Sequence, residues 1–248
     1  MSNVIISLIV LAIVFGGALF GTFLRAALPQ HHLSDESKDT VRIGIGLVLT
    51  ITALVLSLLV ASAKAYYDTQ STELTEMCAK IVFLDRVLAH YGPEAKEARS
   101  ALRASVTAAL DRMSWKNRGS REPLPRSGEL VYDAIRELSP RNEAQRSIQA
   151  EALSLAIDVG QTRWLMYEQS AAAVSRPLLV TMVFWLTIVF ISFGLFAPNN
   201  LTVAGGLFLC ALAASGAVFL ILEMYSPFSG LIHISSAPLR VALAHLGQ

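Results

Sequence analysis

The sequence predicts an all-α membrane protein: four transmembrane helices with a helical cytosolic insert between spans 2 and 3. Three observations predict it. The 248 residues are 54% hydrophobic and only 16% charged, with a mean hydropathy of +0.52, whereas a soluble domain is about one-quarter charged. The charges are segregated, since the 113 residues from Lys64 to Arg176 hold 31 of 39 and the other 135 hold 8. The apolar remainder contains four uncharged stretches long enough to cross a bilayer. Three segments follow: residues 1–63 with spans 1 and 2, residues 64–176 as a cytosolic helical domain, and residues 177–248 with spans 3 and 4 and a C-terminal tail.

Span 1 is Val4–Leu24, 21 residues without a charge. At 1.5 Å per helical residue this covers the ~30 Å hydrocarbon core. It lacks a basic leader and its apolar run is too long for a signal peptide, so it reads as a retained helix. Span 2 is Ile43–Ala63, span 3 Pro177–Ala197 and span 4 Leu201–Leu222. Each must be helical, because lipid cannot satisfy open backbone groups. Pro29 follows span 1, Pro177 opens span 3 and Pro198 ends it, as expected of residues that cannot continue a helix.

The insert reads as helices. Leu74, Met77, Ile81, Leu84, Leu88 and Tyr91 repeat at 3 and 4, a heptad stripe on a helix continuing from span 2. Gly92-Pro93 ends it. Ala95, Ala98, Leu102, Val106, Ala109 and Met113 form a second stripe. Lys116–Ser127, with Gly119, Pro123 and Pro125, reads as a loop. A short helix follows over Leu130–Leu138. Ser139, with Pro140 at N1, caps a long helix to about Ser175. That helix has two apolar rows, Ile148-Ala152-Leu155-Val159-Thr162-Met166 and Leu153-Ile157-Trp164, so it is expected to pack on both sides. The stripes suit a helical core, and part of them suits a subunit interface.

Little here carries reaction chemistry. No GxxxxGK[ST], GxGxxG, HExxH, GxSxG or CxxC occurs, so no enzyme activity, cofactor or metal site is expected. Cys78 and Cys210 read as packing residues. A net charge of +1 argues against nucleic acid as a partner. His31-His32 beside Asp35 and Glu36 could sense pH or bind a metal, or simply be solvated. Gly17xxxGly21, Gly44, Gly46, Gly205-Gly206 and Ala213xxxAla217 suit close helix packing in lipid. Glu223, at the end of span 4, is an acid that should face a partner helix, an aqueous path or headgroup water. Beyond it, Phe228–Ile234 is too short to span and should re-enter or lie at the interface, and a short helix starts at Ser236-Ala237-Pro238.

With four spans, both termini and the insert share one side. Lys64, Lys80, Arg163 and Arg176 flank the membrane there, against Arg25, Lys38 and Arg42 on the other. The positive-inside rule therefore places the insert and both termini in the cytoplasm.

Three stretches, 84–93 (LDRVLAHYGP), 194–200 (GLFAPNN) and 223–230 (EMYSPFSG), resemble the bestrophin-like domain family, four-span bacterial membrane proteins also catalogued as domain of unknown function 4239. The resemblance covers about Ile5 to Leu246. It implies a bestrophin-like fold in a bacterial inner membrane and, by analogy with the pentameric bestrophin channels, a homo-oligomer that conducts ions. Pro227-Phe228 matches the bestrophin turn after span 4, although Ser229 precedes Gly230, and Glu223 belongs to the same stretch. The span around the axis would be span 2. On it Thr50, Leu54, Ser57, Ala61 and Lys64 recur at 3 and 4, a weakly polar and apolar face suited to a dewetting gate, with a Lys64 ring favouring anions. The same positions suit ordinary packing. The alternative is a non-conducting scaffold or signalling subunit whose insert recruits a cytosolic partner. A membrane enzyme or carrier fits less well, because an enzyme needs a cluster of acids or histidines at one depth and only Glu223 qualifies.

Overall fold

A computed structural model describes residues 3–27, 35–113, 127–171, 176–198, 200–228 and 230–247. Among these, every regular element is a helix: α1 (Asn3–Ala27), α2 (Asp35–Tyr91), a 3-10 turn (Pro93–Ala95), α3 (Lys96–Met113), α4 (Ser127–Arg136), α5 (Glu143–Ala171), α6 (Arg176–Phe196), α7 (Leu201–Met224) and α8 (Ala237–His245). Four helices are long and apolar enough to cross a membrane: α1, α2, α6 and α7. His31, His32 and the 116–126 loop with Pro123 and Pro125 lie outside the described residues, as do the side chains of Asp35 and Glu36.

The chain forms two compact units, residues 1–66 with 174–225, and residues 67–173 with 226–248. In the first, α1 is held between α6 and α7. Val10, Val14 and Ala18 of α1, Met182, Leu186 and Phe190 of α6, and Ala211, Val218 and Ile221 of α7 form its core. Glycine sets the α1–α6 separation. A Cβ on Gly21 would overlap the carbonyl oxygen of Ile191, and one on Gly194 would overlap that of Ala18. The Gly17xxxGly21 spacing is therefore a helix crossing of the small-residue type. A Cβ on Gly44, Gly46, Gly205 or Gly206 would meet nothing within 4 Å, so these four serve no crossing inside the chain. Ser215 Oγ on α7 donates to the carbonyl of Ser7 at 2.5 Å, and Arg25 donates to the carbonyl of Ala197.

In the second unit the stripe from Leu74 to Tyr91 is buried throughout, as are Ala95, Ala98, Leu102 and Val106. Gly92 ends α2 at φ 123°, a region essentially restricted to glycine. Two glutamines one turn apart on α5 then close other helix ends. Gln145 Nε2 donates to the Tyr91 carbonyl at 3.0 Å, and Gln149 Nε2 to those of Ile135 and Leu138 at 2.9 and 2.8 Å. The Tyr91 carbonyl is one that a helix C-terminus otherwise leaves open, and the Ile135 carbonyl also accepts the Leu138 N–H at 3.3 Å.

Three expectations change. The long insert helix begins at Glu143 and ends at Ala171 among the described residues, and its cap is Asn142, whose Oδ1 accepts the Gln145 N–H at 2.8 Å; Ser139-Pro140 lies outside it. One of the two α5 rows is packed along its length, the other only at Leu153. Ala152 and Met166 are buried, whereas Ile157 and Trp164 are exposed. The described residues of the run Phe228–Ile234 are not helical and belong to the second unit. Ile234 is buried in the insert core and Phe228 packs against it, while the Ile234 N–H closes on the Pro227 carbonyl at 2.8 Å. With Leu239, Ala242 and Leu246 also in that core, the tail gathers with the insert rather than with spans 3 and 4.

A buried ion pair fastens the tail. Asp85 is 1% exposed and takes both the Nε and Nη2 of Arg99 at 2.8 Å. It also accepts the Gly247 N–H at 3.1 Å, and Arg103 donates to the Leu246 carbonyl at 2.8 Å. Burial pushes Asp85 up, but the Arg99 and Gly247 hydrogen bonds and the Arg99 and Arg86 guanidiniums together hold it below the usual carboxylate range.

Candidate functional site

The proposed lining face lies on α2. At about 100° per residue, Thr50, Leu54, Ser57, Ala61 and Lys64 fall within an arc of about 80°. All five are exposed in the single chain, Leu54 at 67%. The same arc continues upward through Ile43 at 77% and Leu47 at 64%. The opposite side of α2 carries Thr52, Leu59 and Ala63, all buried. Of the four spanning helices α2 is covered least: 11% of its most apolar stretch is buried, against 28–33% in the others. Thr50 Oγ1 donates back to the Gly46 carbonyl at 2.9 Å. Its hydroxyl is thus satisfied within the helix and presents a methyl and an oxygen lone pair outward.

Glu223 is placed differently. It is 3% exposed at the end of α7, and Asn3 Nδ2 donates to its Oε1 at 3.0 Å and to the Leu222 carbonyl at 3.3 Å. Within the chain it faces α1, as expected for an acid that would be costly alone in lipid. Two residues on, the Tyr225 ring lies 5.4 Å from that of Tyr66, and its hydroxyl shares a hydrogen bond with Ser62 Oγ at 3.0 Å. The α7 end is thereby tied to both α1 and α2. Pro227 and Phe228 belong to the other compact unit, Pro227 buried and Phe228 half-buried. The structure thus brings Glu223 together with Asn3, and the α2 residues together with one another. Ser229 lies outside the described residues.

Sequence reasoning missed Asn3, Ser62 and Tyr225. One signal for Asn3 was present. An even number of spans puts the start of span 1 and the end of span 4 on the same side, where an amide could meet the acid. It also missed a cavity of about 430 Å³ in the insert. Arg163 lines it, half-buried, and burial first, then the neighbouring Arg112, push that guanidinium below its ordinary value while Glu129 opposes them. Among the described residues no cluster of three or more His, Cys, Asp or Glu could hold a metal. Cys78 is buried, and burial pushes its thiol up to about 11. Cys210 is exposed on α7 rather than packed within the chain.

Comparison with known proteins agrees with this architecture. A crystal structure of a bacterial bestrophin homolog from Klebsiella pneumoniae, carrying one substitution, superposes with a TM-score of 0.62 at 15% sequence identity, over 95% of this chain and 99% of that one. At that identity the likeness speaks for the fold. No curated protein matches. The family model for the bestrophin-like domain matches residues 12–239. The chain is therefore a membrane protein belonging to the bestrophin-like domain family.

Proposed function

We propose that the protein is a homo-oligomeric ion channel in which α2 lines the axis. One observation carries this reading: the most apolar stretch of α2 is the least covered of the four spans, with Thr50, Leu54, Ser57, Ala61 and Lys64 open along one face. A helix with so little cover from its own chain completes its packing on other copies and on lipid. A ring of such helices presents weakly polar and apolar side chains inward, and an apolar ring at Leu54 is suited to gating by dewetting. Lys64 at the insert end places a ring of positive charge at one mouth and favours anions. By analogy with the bestrophin fold the ring has five copies, sits in a bacterial inner membrane and keeps its insert and termini in the cytoplasm. Glu223 and Asn3 set the pitch of α7 against α1, which fixes the level at which Tyr225 meets α2.

The test is reconstitution of the full chain into planar bilayers with chloride and potassium gradients. Anion current is expected, and Lys64→Glu should lower the chloride-to-potassium permeability ratio several-fold, since one charge per subunit changes sign at the mouth. A well-formed ring that passes no current sinks the proposal. One observation favours a second reading, a non-conducting scaffold. α5 exposes Ile157 and Trp164 from its second apolar row, with the Trp164 and Tyr167 rings 5.7 Å apart. That row suits a protein partner, and a two-fold particle without an axial hole would favour it.

A further inference from the structure

We propose that the insert binds a single-chain amphiphilic carboxylate, a medium-chain fatty acid, in the cavity walled by α2, α3, α4, α5 and α8, with its head group on the Arg163 guanidinium. The cavity volume of about 430 Å³ lies within the range of small-molecule sites, ~300–1,000 Å³. Its apolar wall includes Met77, Ile81 and Leu84 of α2, Leu102 and Val106 of α3, and Leu239 of α8. That wall accepts a hydrocarbon chain, and Ser105, Glu129, Tyr132, Asp133 and Arg163 give the rest of the lining its polar groups. The space holds one medium chain and is too small for a two-chain phospholipid.

The charge at the wall chooses the head group. Arg163 is half-buried, and among the described residues no hydrogen bond or ion pair holds its guanidinium. A guanidinium in that position is costly until an anion meets it. Gly128 makes room for it: a Cβ there would stand 2.7 Å from Nη2 and 3.0 Å from Cζ. Any larger residue at 128 would push the guanidinium off the first turn of α4. Glu129 and Asp133 also line the cavity, but both are exposed, so water already serves their charges. Glu129 acts on the Arg163 guanidinium but makes no ion pair with it among the described residues, so the direct bond still open to the cation suits an anion with an apolar tail. Leu239 gives such a ligand a contact on α8, so occupancy would brace the tail against the insert.

The experiment is photo-crosslinking of the full chain in lipid nanodiscs with decanoic acid bearing a terminal diazirine, followed by peptide mapping. Residues 77–84 and 102–106 are expected to be labelled. Unlabelled decanoate should protect them at least about tenfold better than decanol or decylamine, the preference a charge-assisted hydrogen bond provides. Arg163→Gln should reduce that labelling by about the same factor, while labelling of α1, α6 and α7 by probe dissolved in lipid stays unchanged and serves as the folding control. Gly128→Ala keeps every charge, displaces the guanidinium alone, and should weaken labelling in the same direction. Labelling confined to the spans, labelling indifferent to both substitutions, or stronger protection by decylamine would each overturn the proposal. Cavity labelling by a diazirine phospholipid would overturn the single-chain assignment. The readout is binding, so it stands whether or not the protein conducts.

Discussion

Asp85 is the one acid of the insert that is buried among the described residues. Its carboxylate is buried and satisfied by a bidentate Arg99 and the Gly247 N–H. Breaking a buried pair by removing one partner costs about 3–5 kcal/mol, because the other charge stays buried without compensation. Asp85→Asn should therefore lower the thermal midpoint of the insert, read by circular dichroism, and free the C-terminal residues to proteolysis. The pH dependence follows from the depressed carboxyl. A group whose folded value lies below its unfolded value of about 3.9 stabilises fully above that value and loses its contribution as pH falls through the folded one. The wild type should thus lose stability as pH falls below about 4, and Asp85→Asn should lose less over the same range. A variant that titrates like the wild type there would remove Asp85 from the account. Cys78 gives an independent check on the same core. With its thiol pushed up to about 11 by burial, it should resist maleimide at neutral pH until the protein is unfolded.

At the scale of elements, most helices were legible and their junctions were not. Spans show themselves because the bilayer demands a fixed apolar length, and Pro177 and Pro198 mark ends that water and lipid both respect. The stripe from Leu74 to Tyr91 was legible for a similar reason, since burial on one face imposes its own period. The start of α5 was not. Ser139-Pro140 and Asn142 are both sound helix starts locally, and the choice falls to Asn142 because Gln145 must reach the Tyr91 carbonyl. The packing of Phe228 and Ile234 with the insert core was not legible, because an apolar side chain in a short run looks the same whether it meets lipid or a protein core. The α1–α6 crossing offers a direct test. Gly194→Ala or Gly21→Ala puts a methyl into a facing carbonyl, and forcing helices apart costs about 1–3 kcal/mol. Either should lower the resistance of the membrane unit to denaturing detergent, whereas Gly216→Ala, with open space around it, should leave the fold of the chain unchanged.

For the whole molecule, the open question is what covers α2. The pore candidates were legible as a spacing, but a spacing cannot separate a face that meets water from one that meets lipid or another subunit, and Arg163 carries no pattern at all because one arginine in a mixed row looks like any solvated charge. The two environments differ in one physical respect: only water supports ionisation of a thiol. Single cysteines at positions 50, 54, 57 and 61, in a chain with Cys78 and Cys210 replaced by alanine, should therefore react with a charged, water-soluble thiosulfonate in intact vesicles. Cysteines at 51 and 58, which are also exposed in the single chain but point about 80–100° away from the centre of that arc, should not. Lys64 at the mouth should make a negatively charged reagent react faster than a positively charged one, and Lys64→Gln should remove the difference. Reaction at 51 and 58 as well would mean that water surrounds α2 on all sides, which no ring of tightly packed copies permits. Silence at all six would put the Thr50–Ala61 face in lipid or against another subunit, and any aqueous axis would then have to lie along another helix.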